Sequence, residues 1–155
     1  MKLIAHRGNT HGPDEVNENN PDYIDKCLSE GYDAEIDVRY DSLTTVFWLG
    51  HDEPQYKVSW KWMANRAELL WIHCKDITTL HEFTKYEHAG YKYFWHDQDD
   101  FALTSNNIIW TFPGKPYTPR SILVMPEHNT KIKNLNDLRA VNCLGICSDY
   151  VAHLK

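Results

Sequence analysis

The chain has 155 residues, 42% of them hydrophobic and 25% charged, with a formal net charge of −6. That length allows one domain with a real core but is short for two, and the balance is that of a globular protein rather than a disordered or fibrous one. The acidic charge and the lack of any Lys/Arg run argue against non-specific nucleic-acid binding, while a local cationic pocket for a phosphate stays open.

No stretch approaches the roughly 20 apolar residues of a membrane span. His6 and Arg7 cut the first apolar run too short for a signal peptide. The four cysteines, Cys27, Cys74, Cys143 and Cys147, form no CxxC pair. They are expected to be reduced core residues of a cytoplasmic protein rather than a disulfide or metal framework.

In chain order, a strand over Leu3–Arg7 is followed by a polar loop from Asn9 to Asn19. A helix starts with Asn20 as N-cap and Pro21 at its first position, carries Tyr23, Ile24, Cys27 and Leu28 on its apolar side, and ends at Gly31. "YDAEIDVRY" then alternates, with Ala34, Ile36 and Val38 facing one way and Glu35 and Asp37 the other. "DSLT" turns into "TVFWLGHD" to make a local hairpin. A helix around Ser59–Ala67 leads to strand "LLWIHCK", and Asp76 caps a helix bearing Ile77, Leu80 and Phe83 that closes at Gly90. Strands follow at "KYFWH", "NIIWTF", "SILVM" and "LGICS", with a helix near Leu135–Val141 between the last two. This alternation predicts a single α/β domain with a mostly parallel sheet and helices outside it. "DQDDFALTSN" and "PGKPYTP" are too short or too proline-rich to be full crossover helices.

Four local features carry chemistry: His6-Arg7-Gly8 at a strand end, Glu18-Asn19-Asn20-Pro21 entering the first helix, the Glu35/Asp37 pair, and Gly50-His51-Asp52 after the hairpin's return strand. Glu35 and Asp37 share a strand face. Either that face is open and both carboxylates are solvated, or they are buried and need a divalent cation such as Mg²⁺ or Ca²⁺. His6 and His51 are an acid–base pair or two hydrogen-bonded turn residues. Asp52 orients His51 or belongs to the turn. Arg7 suits a phosphate or an ordinary ion pair. His96, Asp97, Glu127 and Asp149 follow strands and read as surface loop residues ahead of pocket ones. Trp60, Trp62, Trp71 and Trp95 are expected in the core, with Trp110 as a pocket wall. His81 and His88 are expected in solvent.

In order and spacing the four features resemble the glycerophosphodiester phosphodiesterase family, over residues 3–52. The likeness continues less cleanly in "WIHCKD", where His73 stands at the family's glutamate position and Lys75 at its lysine, and in "CSDY", which is similar to the family's closing Thr-Asp segment. The resemblance implies an abbreviated TIM-type (β/α) barrel of about seven to eight mostly parallel strands with some outer helices missing. A full barrel takes about 250 residues, and a homo-oligomer is one way to cover the edges of a shortened one. It further implies cleavage of a small-molecule phosphodiester by His6 and His51. Glu35, Asp37 and His73 would hold a divalent metal ion, Arg7 and Lys75 the phosphate, with Glu18, Asn19, Asp52 and Trp110 in support. His73 in place of a carboxylate shifts the metal preference from Mg²⁺ or Ca²⁺ towards Mn²⁺ or Zn²⁺. The rival expectation is a domain that binds a phosphate-containing ligand without efficient turnover.

Overall fold

Ten strands and three α-helices alternate only in the first half of the chain, which is where the sequence signals for crossover helices lie. The computed structural model describes residues 1–85, 90–129 and 134–155. Its elements are β1 (Lys2–His6), α1 (Pro21–Ser29), β2 (Asp33–Asp41), β3 (Val46–Leu49), β4 (Tyr56–Val58), α2 (Trp60–Ala64), β5 (Leu70–Cys74), α3 (Ile77–Thr84), β6 (Lys92–Phe94), β7 (Phe101–Leu103), β8 (Ile109–Thr111), β9 (Ser121–Val124) and β10 (Gly145–Ser148). Short 3-10 helices cover Pro126–His128, Leu135–Ala140 and Val151–Leu154.

The helices start where the caps dictate. Asn20 accepts from the Asp22 amide at 2.9 Å, with Pro21 at the first position of α1. Asp76 accepts from the Thr79 amide at 2.7 Å to open α3. α2 ends at Ala64, earlier than expected, and α3 ends at Thr84. The expected closing residue, Gly90, lies six residues beyond that end, with φ of 74°, while His88 falls at residues 86–89, outside the described residues. His81 is exposed on α3, as the sequence suggested.

The strands run β6-β5-β2-β1-β10-β9-β8 in parallel, with β3 and β4 added antiparallel beyond β2 and β7 antiparallel on β8. In a flat sheet, strands about 4.8 Å apart would hold β5 about 24 Å from β8, yet the Trp71 and Trp110 rings are 5.6 Å apart. The sheet is therefore strongly curled.

The expected TIM-type barrel is not formed. The molecule is a curled, mixed-sheet half-barrel with few helices. The reason lies in the connections after β6. "DQDDFALTSN" goes into the β7–β8 hairpin instead of a crossover helix, "PGKPYTP" makes a bare link from β8 to β9, and the segment expected as a helix before β10 is 3-10. No ladder joins β6 to β7 or β8 among the described residues. Ser105 bridges that gap, donating from its amide to Tyr93 O at 2.8 Å and from Oγ to Tyr91 O at 2.9 Å.

Two main apolar layers follow from the alternation of strand side chains. Outside, Ala34, Ile36, Val38, Ile72 and Cys74 pack with Ile24 and Cys27 of α1, Met63 of α2 and Phe83 of α3. Inside the curl, Ile4, Trp71, Phe94, Trp110, Ile122, Val124 and Cys147 form one cluster. Beneath it Asp33 accepts from Trp71 Nε1 at 2.9 Å and from Lys2 Nζ at 2.8 Å, and lies 3.9 Å from Lys92 Nζ. Cys27, Cys74 and Cys147 are buried free thiols and Cys143 is half-buried. Trp95, expected in the core, is 46% exposed. Among the described residues no helix is long and apolar enough to cross a membrane.

Trp71 fills the centre of the inner layer and holds its floor. Trp71→Ala should cost about 3–5 kcal/mol of stability, read by urea denaturation. A loss below about 1 kcal/mol would show that the inner layer is not close-packed.

Candidate functional site

Parallel pairing brings strand C-termini to one rim, and the register decides which side chains meet there. His6 pairs with Glu35, and Asp37 with His73. β2 is the hub. β5 runs along one edge of Ala34–Val38, while the other edge carries β1 at Asp33–Glu35 and β3 at Val38–Asp41. That edge changes partner at Asp37, so the ends of β1 and β3 both arrive beside it. Gly50 donates to Asp37 O at 3.1 Å. A Cβ on Gly50 would lie 2.0 Å from Glu53 O, so only glycine makes the turn that presents His51.

Glu35 and Asp37 are buried, 3% and 1% exposed, which settles the open-face alternative against solvation. Asp37 is heavily engaged. Asn19 Nδ2 donates to its Oδ2 at 3.0 Å, while Asn19 Oδ1 accepts from its backbone amide at 2.9 Å. Arg7 Nε is 3.0 Å from Oδ2, and Lys75 Nζ is 3.4 Å from Oδ1. Burial would raise its pKa, but His73, Arg7 and Lys75 together hold it well below the usual carboxylate range. Glu35 goes the other way, raised by burial and by the Asp37 charge, with His6, His73 and Arg7 offsetting only part.

Histidine 6 is a dyad with Asp149. Its Nδ1 lies 2.8 Å from Asp149 Oδ1, and its Nε2 is 4.0 Å from Glu35 Oε2. Burial pushes the imidazole down, but the Asp149 hydrogen bond and the Glu35 charge outweigh it and raise its pKa. His51 is more open, 42% exposed at its side chain, with Nδ1 2.6 Å from Asp52 Oδ1. Burial and the charges of Arg7 and Lys75 lower its pKa.

His6, Arg7, Glu35, Asp37, His51, His73 and Trp110 all line one cavity of about 310 Å³, joined by Phe94, His96, Phe112, Met125 and His128. Glu18, Asn19 and Asp52 line an adjoining cavity of about 390 Å³ that shares Arg7 and His51. Lys75 reaches the site through Asp37, and Glu18 through Arg7 Nη1 at 2.9 Å.

The metal expectation can be tested on two observations. Glu35, Asp37 and His73 each offer a ligand atom within 4.8 Å of the others. Asp37 Oδ1 is buried with no hydrogen-bond donor among the described residues. His73 Nε2 is 3.4 Å from the His96 carbonyl, which can only accept. In the metal-free protein His73 Nδ1 faces Asp37 Oδ1 at 3.1 Å as a partner that lowers the Asp37 pKa. Only with the proton on Nε2 would Nδ1 offer a lone pair to an ion shared with Glu35 Oε1, 3.9 Å away. Three ligand atoms would then converge beside Arg7 and Lys75, and the carbonyl supplies the outer contact that orients such an imidazole. The residues fit a divalent ion.

The sequence reading misses Asn9 and Arg39 and ranks Asp149, Glu127 and His96 as loop residues ahead of pocket ones. Asp149 is 4% exposed rather than a surface loop residue; two residues after inward-facing Cys147, strand period alone would have turned it inwards. Asn9, fully buried, donates to both Glu18 Oε1 and Asp149 Oδ1 at 2.9 and 2.8 Å. Arg39 pins the His51 loop by donating to the carbonyls of Gly50, His51 and Asp52. Glu127 Oε1 accepts from Ser148 Oγ and the Asp149 amide. His96, neutral with its pKa lowered to about 4 by burial and by His73 and Lys75, stacks on Phe112 at 3.8 Å. Asp97 is exposed.

Comparison of the chain with family models, curated proteins and solved structures finds no match. The resemblance to the glycerophosphodiester phosphodiesterases rests on the motifs quoted above.

The histidines should separate in an NMR pH titration of the metal-free protein: His96 at about 4, His51 below the ordinary value of 6.5, and His6 above it. Since the folded His6 value is raised, its pairing with Asp149 stabilises the fold fully below 6.5 and that contribution is lost as pH rises through the raised value. Asp149→Asn should remove this part of the pH dependence. A His6 titrating below His51 would overturn the assignment.

Proposed function

We propose that the chain is a divalent-metal-dependent phosphodiesterase acting on a small, glycerophosphodiester-like molecule. The observation that carries the reading is the convergence, in one cavity, of a buried acceptor triad with Arg7 and two histidines from separate strand ends, Lys75 standing behind Asp37. A structural metal site needs neither the histidines nor the extra cations.

An ion held by Glu35, Asp37 and His73 would neutralise phosphoryl charge and polarise the phosphorus. The protein's own residues do the rest. Arg7, which lines the cavity and is fixed by Glu18 and Asp37, presents positive charge to the phosphate without having to be ordered first, and Lys75 adds its charge from beside Asp37. Both histidines hold an aspartate at Nδ1 and so leave Nε2 for substrate. Asp149 is buried and stabilises a charged His6, whereas Asp52 is 89% exposed at its side chain and His51 sits near two cations. His6 is therefore the general acid that protonates the leaving alcohol oxygen. His51 is the base that takes the proton from the attacking hydroxyl, whether water or the substrate's own.

Metal-stripped protein should be inactive and regain turnover of phosphodiesters when Mg²⁺, Ca²⁺, Mn²⁺ or Zn²⁺ is added back. His51→Ala should lower turnover by about a hundredfold or more on alkyl and aryl diesters alike. His6→Ala should do so on alkyl diesters and much less on p-nitrophenyl diesters, because nitrophenolate leaves without a proton. No turnover with any ion from folded protein, together with phosphate-ester binding, would establish the non-catalytic binding domain instead.

A further inference from the structure

Beside the site lies a larger cavity, about 570 Å³, that the proposed chemistry does not use. It shares Phe112, Pro113 and Val124 with the site cavity, so the two meet across one short wall. Beyond that wall it follows β8 and β9 to Leu138 and Val141, under Tyr117 of the proline-rich link. Among the described residues this face carries no α-helix, only the 3-10 helix Leu135–Ala140.

We propose that this groove binds an apolar substituent on the phosphodiester, so that the enzyme selects diesters bearing an alkyl chain or comparable apolar alcohol group. The inference rests on the phosphodiesterase reading of the adjoining site. Three features commit it to that occupant. The groove adjoins the cavity that would hold the phosphate, sharing Phe112, Pro113 and Val124 with it. Its volume is of small-molecule size and its walls are mostly apolar, as such pockets are. Among the described lining residues the charged groups do not invite a second anion: Lys115 is paired with Asp100 at 2.6 Å, and Asp137 adds a negative charge. What remains to gain there is burial of hydrocarbon, worth up to about fourfold in affinity per methylene.

The test uses methyl, butyl and octyl p-nitrophenyl phosphates, below their micelle concentrations, with the activating ion. The second-order rate constant should rise at least tenfold from methyl to octyl. Tyr117 is 48% exposed and outside the catalytic set. Tyr117→Lys should erase the rise while leaving methyl kinetics unchanged, and Val141→Asp should do the same if its melting temperature shows it folded. Hydrolysis of all three with no chain-length dependence would overturn the groove and leave the phosphodiesterase reading standing. If none turned over, calorimetry with octyl phosphate and methyl phosphate decides. Tighter octyl binding that Tyr117→Lys abolishes would keep the groove and sink the activity; equal affinities would sink both.

Discussion

The buried carboxylate of Asp37 organises this molecule. Taking one charge out of water costs several kcal/mol, and only close, oriented partners offset it. Asn19, Arg7, Lys75 and His73 come from three different parts of the chain to do so. Arg7 and Asn19 both adopt left-handed backbone, with φ of 53° and 62°, a conformation that costs an arginine more than an asparagine. They are tied by the Asn19 amide donating to Arg7 O at 3.0 Å. The strain is held in place by the same carboxylate that the two residues satisfy. A loop, two strand ends and the site thus share one electrostatic anchor.

The other constraint is topological. β2 exchanges β1 for β3 along one edge within a few residues, and that exchange places His6 and His51 on either side of Asp37. A parallel strand continuing along β1 would have occupied the space where the His51 loop turns. The added hairpin is therefore part of the site rather than decoration on the sheet.

Much of the site was legible because strand period and motif order are local properties. Glu35 and Asp37 share a face, His73 and Lys75 follow at the same spacing, and Asn20-Pro21 announces α1. What stayed hidden depends on contacts distant in sequence. Nothing near Asn9 reveals that it bridges Glu18 to Asp149, 140 residues away. The fold class was misread for a related reason. The first half of the chain has true strand–helix alternation; past β6 the links read as too short or too proline-rich for crossover helices, but nothing local shows that one of them builds an antiparallel hairpin in place of a trimmed barrel wall. Seven strands still run parallel, so the rim that collects strand ends survives without the closed barrel.

The seam between β6 and the β7–β8 hairpin is held at the backbone by Ser105, where a closed sheet would have a ladder. Ring packing of Phe94 on Trp110 at 4.6 Å and of His96 on Phe112 at 3.8 Å closes the same seam. β6 also carries Phe94, whose ring stacks on His73 at 5.1 Å and nearly parallel. His73 is thus the member of the triad nearest the seam, while Glu35 and Asp37 lie on the strand flanked along both edges.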